Sequence, residues 1–333
     1  MTVEVIRAGL LTTVQDLGRY GAQRFGVPVS GAMDTRSLRI ANLLVGNEQG
    51  AAALEVTLVG PSLLFDSDAL IAVCGGDLSP VVDGRPLPMN RPVWIARGSL
   101  LSFGQPLAGC RAYVAFAGGI DVALVLASRS TYLRTGFGGV KGRAVTKGDR
   151  INAVAGEVSH FLQLLDSASF ASSGFAAPKW SVRVDSGRML ARPQRIRFIA
   201  GRHWELLAPA VREMFVEEKF RVGAASDRMG YRLEGVGLER HEYGNIVSEA
   251  VAFGTIQLPP DGNPIILMAD RQTVGGYPRI GEVASVDLPL LAQLKPGDML
   301  EFEQISLSEA HNLSHVQEKA LARIDAAIAA ARR

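Results

Sequence analysis

Thirty-six glycines break the apolar content of this 333-residue chain into short runs. Residues 70–74, 112–117 and 265–268 are such runs, four to six residues long, each with Gly, Pro or Asp close by. Short apolar runs bounded by turn residues are the pattern of strands, whereas a helix needs a longer periodic stretch. Asp83-Gly84 and Asp261-Gly262 lie between apolar flanks, as hairpin turns do. The chain is expected to be mainly β, with few helices.

Three segments depart from that pattern. Residues 35–45 place Leu38, Ala41, Leu44 and Val45 on one face, with Asp34 or Thr35 to cap the start and Gly46 beyond the end. Residues 208–216 form a second, shorter candidate. Residues 308–333 carry Leu313, Val316, Ala320, Ile324 and Ile328 at spacings of three and four, which predicts a tail helix packed on its own protein.

The length exceeds that of a usual single domain, and 47% hydrophobic residues suffice for sizeable cores. Residues 166–179 are rich in Ser, Ala and Gly, with Pro178 near the end, and read as a linker. The expected organisation is an N-terminal β half over 1–165, a C-terminal β half over 180–305, and the tail helix over 306–333. A weak internal echo joins the halves. Lys147-Gly148-Asp149-Arg150-Ile151 and Lys295-Pro296-Gly297-Asp298-Met299-Leu300 share a turn-like Lys-(x)-Gly-Asp pattern before an aliphatic residue.

Charge excludes several function classes. The 35 basic and 33 acidic residues are interspersed, with no basic stripe interleaved with aromatics, so nucleic acid is not an expected partner. Gln15, Asp16 and Arg19 come too early for a signal peptide, and no run of about 18 apolar residues exists to span a membrane. Cys74 and Cys110 sit in apolar stretches, as buried free thiols of a reducing compartment do, which points to the cytoplasm.

No G-x-x-x-x-G-K-[ST] phosphate loop occurs, and no Cys-x-x-Cys pair. His160, His203 and His241 are scattered. His311 and His315 are four apart but lack a third ligand, so no metal site is expected. What remains is a set of polar segments dense in Arg, Asp, Gln, Ser and Gly. The first holds Asp16 and Arg19, then Ser30, Gly31 and Asp34. Asp16 and Arg19 either pair to fix a loop or leave a guanidinium to clamp a carboxylate or urea-like oxygen. Ser30-Gly31 before a helix can offer N–H groups to an anion. The second holds Ser128, Arg129, Ser130 and Tyr132 before the glycine loop 136–139, which is either a small-ligand site or a structural turn. The third runs from Gln257 to Asp270-Arg271-Gln272-Thr273, with Gly276 and Tyr277 behind. An apolar strand emptying into four hydrogen-bonding side chains suits a site. Asp227-Arg228 repeats the Asp-Arg pairing, and an ion pair at a turn is the structural reading of either segment. Glu55 and Glu249, inside apolar runs, are candidate buried carboxylates for acid–base or structural roles.

The segments TTVQDLGRYG, GVPVSGAMD, SRSTYLR, SDRMGYRLEG, GTIQLPPDGNPIILMADRQTVGGYP and LAQLKPGD resemble the KipA family. This family is also described as allophanate hydrolase subunit 2-like or biotin-dependent carboxyltransferase-like. The resemblance covers about residues 3–303. It implies cyclophilin-like β-barrel architecture in both halves, a KipI-like chain as partner, and commonly a LamB/YcsF-like third chain. The implied activity is that of an ATP-dependent 5-oxoprolinase, which opens a small cyclic amide, with the chain inactive alone and ATP handled by the complex. No Met-Lys-Met signature occurs, so no covalent biotin is expected here. On the combined reading Asp270, Arg271 and Gln272 are candidate catalytic residues. Asp16, Arg19, Ser30, Gly31, Asp34, Ser128, Arg129, Ser130, Tyr132, Arg228, Gln257, Thr273, Gly276 and Tyr277 are candidate substrate contacts. Two alternatives stand beside this: a urea or small-amide carboxyltransferase component, and a regulator that binds a KipI-like kinase inhibitor.

Overall fold

A computed structural model describes residues 1–156, 158, 161, 174–183, 192–238 and 246–331. Residues 166–173 of the expected linker, His160, His241 and the last two residues of the expected tail helix lie outside them. The chain forms two compact units. The first comprises Met1–Arg19, Asp34–Asp185 and Ala320–Arg333, and the second comprises Tyr20–Met33 and Ser186–Lys319.

The first unit is built from β1 (Thr2–Arg7), β2 (Leu11–Gln15), α1 (Thr35–Leu44), β3 (Ala53–Thr57), β4 (Ser62–Phe65), β5 (Ala69–Asp77), β6 (Pro80–Val82), β7 (Arg85–Pro86), β8 (Pro92–Ile95), β9 (Leu100–Phe103), β10 (Ala108–Phe116), β11 (Arg150–Asn152) and β12 (Phe175–Ala176). The strands make two six-stranded sheets, ordered β11-β1-β4-β9-β6-β7 and β12-β8-β5-β10-β3-β2. Alternate residues of both sheets enter one core. Val3, Val5, Leu63, Phe65 and Leu101 come from the first sheet, and Leu54, Val56, Ile71, Val73, Val114 and Phe116 from the second. That alternation is the two-residue period of a sheet with one buried face. Asp83 and Gly84 both take positive φ between β6 and β7, the two-residue hairpin turn expected for Asp-Gly. Helix α1 packs on β5 and β10, with Leu38, Ala41 and Leu44 shielded from solvent, and Asp34 is its N-cap.

The second unit contains β13 (Gln194–Ala200), α2 (Pro209–Glu217), β14 (Lys219–Val222), β15 (Gly230–Glu234), β16 (Glu249–Ala250), β17 (Thr255–Gln257), β18 (Ile265–Leu267), β19 (Val274–Gly275), β20 (Arg279–Val283), α3 (Leu288–Leu291) and β21 (Met299–Gln304). Seven strands close a barrel in the order β13-β20-β17-β18-β15-β14-β21, with β13 parallel to β21 and the other pairs antiparallel. Its core is rich in aromatics. Phe215 stacks on Phe302 at 4.4 Å, and Phe198, Phe220 and Trp204 pack around them. Strands β16 and β19 form a separate two-stranded ribbon.

Three expectations, drawn from the resemblance, from composition and from apolar spacing, meet a partly different arrangement. The first unit carries two open sheets rather than one ring. Phe175–Ala176, placed in a linker, add a strand to β8, because ladder pairing is invisible to composition. The tail helix α4 (Leu307–Ala331) turns Ala310, Leu321 and Ile328 inward, while Val316 is 64% exposed. No helix among the described residues is long and apolar enough to cross a membrane.

The Lys-(x)-Gly-Asp echo is structural. Asp149 Oδ2 accepts from Thr146 N at 2.7 Å, and Asp298 Oδ2 accepts from Lys295 N at 3.1 Å. Each glycine N–H bonds a strand carbonyl, Gly148 to Val5 O and Gly297 to Val222 O, both at 2.8 Å. Two hydrogen bonds from Arg143, at 2.6 and 2.8 Å, lower the Asp149 carboxyl to about 2. An unfolded aspartate titrates near ~3.9, so this stabilisation is complete above that pH and is lost as pH falls through about 2. Asp149→Asn keeps the turn's shape and removes the charge. It should lower the melting temperature at pH 7 by roughly 2–4 °C, with the gap closing in acid. A gap that persists unchanged at pH 3 and below would assign the effect to shape.

Candidate functional site

In the second unit, Ser30, Gly31, Arg228 and Asp270 form one buried network. Arg228 Nε donates to Asp270 Oδ2 at 2.9 Å and Nη2 donates to Oδ1 at 3.1 Å. Ser30 Oγ donates to Asp270 Oδ1 at 2.6 Å, and Arg228 Nη2 also reaches Gly31 O at 2.6 Å. The backbone joins in, with Asp270 N donating to Arg228 O at 2.8 Å. Ser30 and Gly31 hold positive φ, a tight turn that points their polar atoms at this pair. Asp270 is thus an anchor whose oxygens are filled by Arg228 and Ser30. Its sequence neighbour Arg271 takes no part.

Arg271 stands apart. Among the described residues its Nη1 meets only the carbonyls of Met268 and Ala269, at 3.4 and 3.5 Å, and its guanidinium lies 5.9 Å from the Phe253 ring. Nε is buried without a hydrogen-bond partner, and no carboxylate lies within ion-pair distance among the described residues. Burial lowers its pKa, opposed by the charges of Tyr20, Glu282 and Asp270. Gln272 and Thr273 are half-buried beside it, while Gly276 and Tyr277 are exposed. Gln257 is buried on β17, its Nε2 without a partner.

The first unit holds a second polar cluster. Asp16 Oδ1 accepts from Gly18 N at 2.8 Å, Ser128 Oγ at 2.7 Å and Ser130 Oγ at 2.5 Å, and Oδ2 accepts from Arg129 N at 2.6 Å. Both serine hydroxyls are thereby committed to one carboxylate. Arg19 is fully buried, donates to Ser130 O and lies 4.8 Å from the Phe137 ring centroid. Phe137 meets Tyr132 edge-on at 5.6 Å. The glycine loop is tightly packed rather than open. A Cβ on Gly138 would fall 2.0 Å from Ser130 O, and one on Gly139 2.0 Å from Thr131 Oγ1.

Asp34 serves α1 directly, accepting from Ser37 N at 2.9 Å and Ser37 Oγ at 2.6 Å. Its own N–H donates to Tyr113 Oη at 2.8 Å, and that phenol donates to Glu55 Oε2 at 2.7 Å. Burial, reinforced by the charges of Glu55 and Asp34, pushes the Tyr113 phenol well above its usual pKa, so it stays neutral. Burial also raises the Cys74 thiol, which makes it unreactive. Of the two caps the sequence offered, Asp34 is the one used, while Ser30 and Gly31, expected to offer N–H groups to an anion, turn their Oγ and carbonyl to Asp270 and Arg228.

The chain matches the carboxyltransferase domain family, subdomains A and B, over residues 25–304. It belongs to that family. Among curated members it is 36% identical over 308 residues to the 5-oxoprolinase C subunit of Escherichia coli, covering 92% of this chain and 93% of that protein. It is 33% identical over 318 residues to the 5-oxoprolinase C subunit of Haemophilus influenzae, covering 95% of each. The crystal structure of Kluyveromyces lactis urea carboxylase superposes with a TM-score of 0.84 at 33% identity, over 97% of this chain but only 29% of that one.

Within this carboxyltransferase-family chain, sequence reasoning passed over Tyr113 and Phe253. Tyr113 lies in the strand segment AYVAF, where an aromatic reads as core. Nor did it assemble the group around Glu249. Glu249 Oε2 binds Arg202 at 3.1 Å and lies 3.6 Å from Arg279, and Arg279 in turn binds Glu282 at 2.7 Å. Their spread over 80 residues of sequence leaves no local motif.

Proposed function

We propose that this chain is the C-type subunit of an ATP-dependent 5-oxoprolinase, which opens the lactam of 5-oxo-L-proline to L-glutamate. The carrying observation is the end-to-end match to the 5-oxoprolinase C subunit, 93% of the Escherichia coli protein, against 29% of the urea carboxylase chain. The reading includes a KipI-like partner chain, a LamB/YcsF-like partner chain and a cytoplasmic location. ATP is a substrate of the complex. With no Walker-type loop in this sequence, phosphate handling is assigned to the partners, and no biotin attachment is assigned to this chain.

Substrate contact is assigned to the second unit's segment 270–277. Arg271 is the carboxylate clamp, with Gln272, Thr273, Gly276 and Tyr277 around it. Asp270, Arg228, Ser30 and Gly31 fix the backbone beneath. In the first unit, Asp16, Arg19, Ser128, Arg129, Ser130, Tyr132 and Asp34 hold loops and a helix start in place, because their polar atoms are spent on protein groups. A guanidinium with no carboxylate in ion-pair distance among the described residues suits a carboxylate-bearing ligand, since its planar fork binds both oxygens.

Co-expression with the neighbouring KipI-like and LamB/YcsF-like chains tests the proposal. The assembled complex should hydrolyse ATP in a 5-oxoproline-dependent manner and co-elute on size exclusion, while this chain alone should show no turnover. Separate elution at micromolar concentration, or turnover by the isolated chain, counts against the subunit reading. Activity that requires urea and a biotin carboxylase instead would favour the carboxyltransferase alternative.

A further inference from the structure

Two shielded polar atoms of the second unit lack hydrogen-bond partners among the described residues, and both belong to residues that meet Gly275, Gln257 through its side chain and Glu249 through the backbone ladder. Gln257 is 2% exposed, and its Nε2 has no partner. Glu249 Oε1 is also shielded and unpaired, although Oε2 of the same carboxylate is held by Arg202. His203 Nδ1 lies 3.8 Å from Glu249 Oε1, beyond hydrogen-bond distance, and accepts from Arg279 N at 3.0 Å. Glu249 pairs with Gly275 across the β16–β19 ribbon. A Cβ built on Gly275 would stand 2.4 Å from Gln257 Nε2, so the ribbon lies directly against the glutamine amide.

A buried donor and a buried acceptor left unmet are each costly, and native structures keep such atoms unpaired rarely and for a reason. We propose that Gln257 and Glu249 read the two adjacent polar atoms of a cis-amide edge. Gln257 Nε2 donates to the carbonyl oxygen and Glu249 Oε1 accepts from the neighbouring N–H. A five-membered lactam fixes its amide cis, which places C=O and N–H on one edge, and urea presents the same edge. Arg202 and Arg279 hold the Glu249 carboxylate in place, and Gly275 lets the ribbon close over Gln257 without a side chain. The inference rests on the small-amide reading above and extends it. It identifies the chemical feature recognised and a residue pair that recognises it, separate from the carboxylate clamp of Arg271.

The test is calorimetric titration of the complex, copurified with its partners, using 5-oxoproline, urea and proline as probes. Proline keeps the ring and carboxylate but lacks the carbonyl. Wild-type protein should prefer 5-oxoproline to proline, and Gln257→Met should erase that preference, weakening 5-oxoproline about tenfold or more. Gly275→Ala adds a methyl group that displaces the end of the flexible Gln257 side chain and presses lightly on Val251 Cγ1 at 3.3 Å, so the fold should persist while the amide preference falls. An unchanged 5-oxoproline preference in both variants, with intact melting temperatures, overturns the assignment and leaves a water molecule as the partner. Absence of binding by both amide probes overturns it too. If urea binds in a Gln257-dependent manner and 5-oxoproline does not, the amide-edge inference stands and the 5-oxoprolinase reading fails.

Discussion

Arg271→Ala is expected to reduce turnover of the assembled enzyme by roughly 10²–10³-fold, the scale seen when one preorganised donor is removed from a developing charge. Two features make this side chain the choice. It is partly withdrawn from water, which lowers its pKa, yet it has no carboxylate within ion-pair distance among the described residues. Its protein hydrogen bonds are the long contacts to Met268 O and Ala269 O. A guanidinium held so loosely has most of its donors left for a ligand. The rival explanation, that Arg271 braces Asp270, loses its footing because Arg228 and Ser30 already fill that carboxylate. The two roles separate in measurement. A ligand clamp predicts a large loss of activity with a melting temperature near that of the wild type. A brace predicts that both fall together. Near-normal turnover with intact assembly would remove Arg271 from the site.

How much of this was legible beforehand follows from the range of each interaction. Helix α1 was readable because its cap, its apolar face and its terminal glycine lie within a dozen residues of one another. The Asp83-Gly84 hairpin and the two Lys-(x)-Gly-Asp turns were equally local. Barrel closure was not, since β13 pairs in parallel with β21, Gln194 facing Leu300, and no local pattern marks such a partner. The Asp270-Arg271 adjacency misled for a geometric reason. The two residues lie in a turn closed by Arg271 N and Met268 O, where the Asp270 carboxylate meets Arg228 and Ser30 and the Arg271 guanidinium meets the Met268 and Ala269 carbonyls. The actual partner, Arg228, is 42 residues away, and Ser30 is 240 away. The tail helix shows the converse. Apolar spacing named Leu313, Ala320, Ile324 and Ile328, all at least half-buried, together with Val316, which is 64% exposed, and it passed over the buried Leu321, because stripes one residue apart fit the same periodicity.

That long-range network carries the second large effect. Removing either member of the Arg228–Asp270 pair should destabilise the protein by roughly 3–5 kcal/mol, since it strands a charge in a site with almost no solvent access. The corresponding fall in melting temperature is on the order of 10 °C. Both side chains are 5% exposed, so water cannot rescue the remaining partner. The loss should not be symmetric. With Asp270→Ala, Arg228 keeps the Gly31 carbonyl at 2.6 Å, whereas with Arg228→Met the carboxylate keeps the Ser30 hydroxyl, also at 2.6 Å. A neutral hydroxyl offers one hydrogen bond to a buried anion that had three, so Arg228→Met should be the more damaging change. The double variant Arg228→Met/Asp270→Leu removes both charges together and should recover much of the stability that either single variant loses. Recovery of stability need not restore activity, because Gly31 and Ser30 would then lose the groups that fix their turn. Thermal melts of the two single variants and the double variant decide the matter. If the losses simply add, the pair contributes no coupling, and the turn at Ser30-Gly31 is held by its backbone conformation alone.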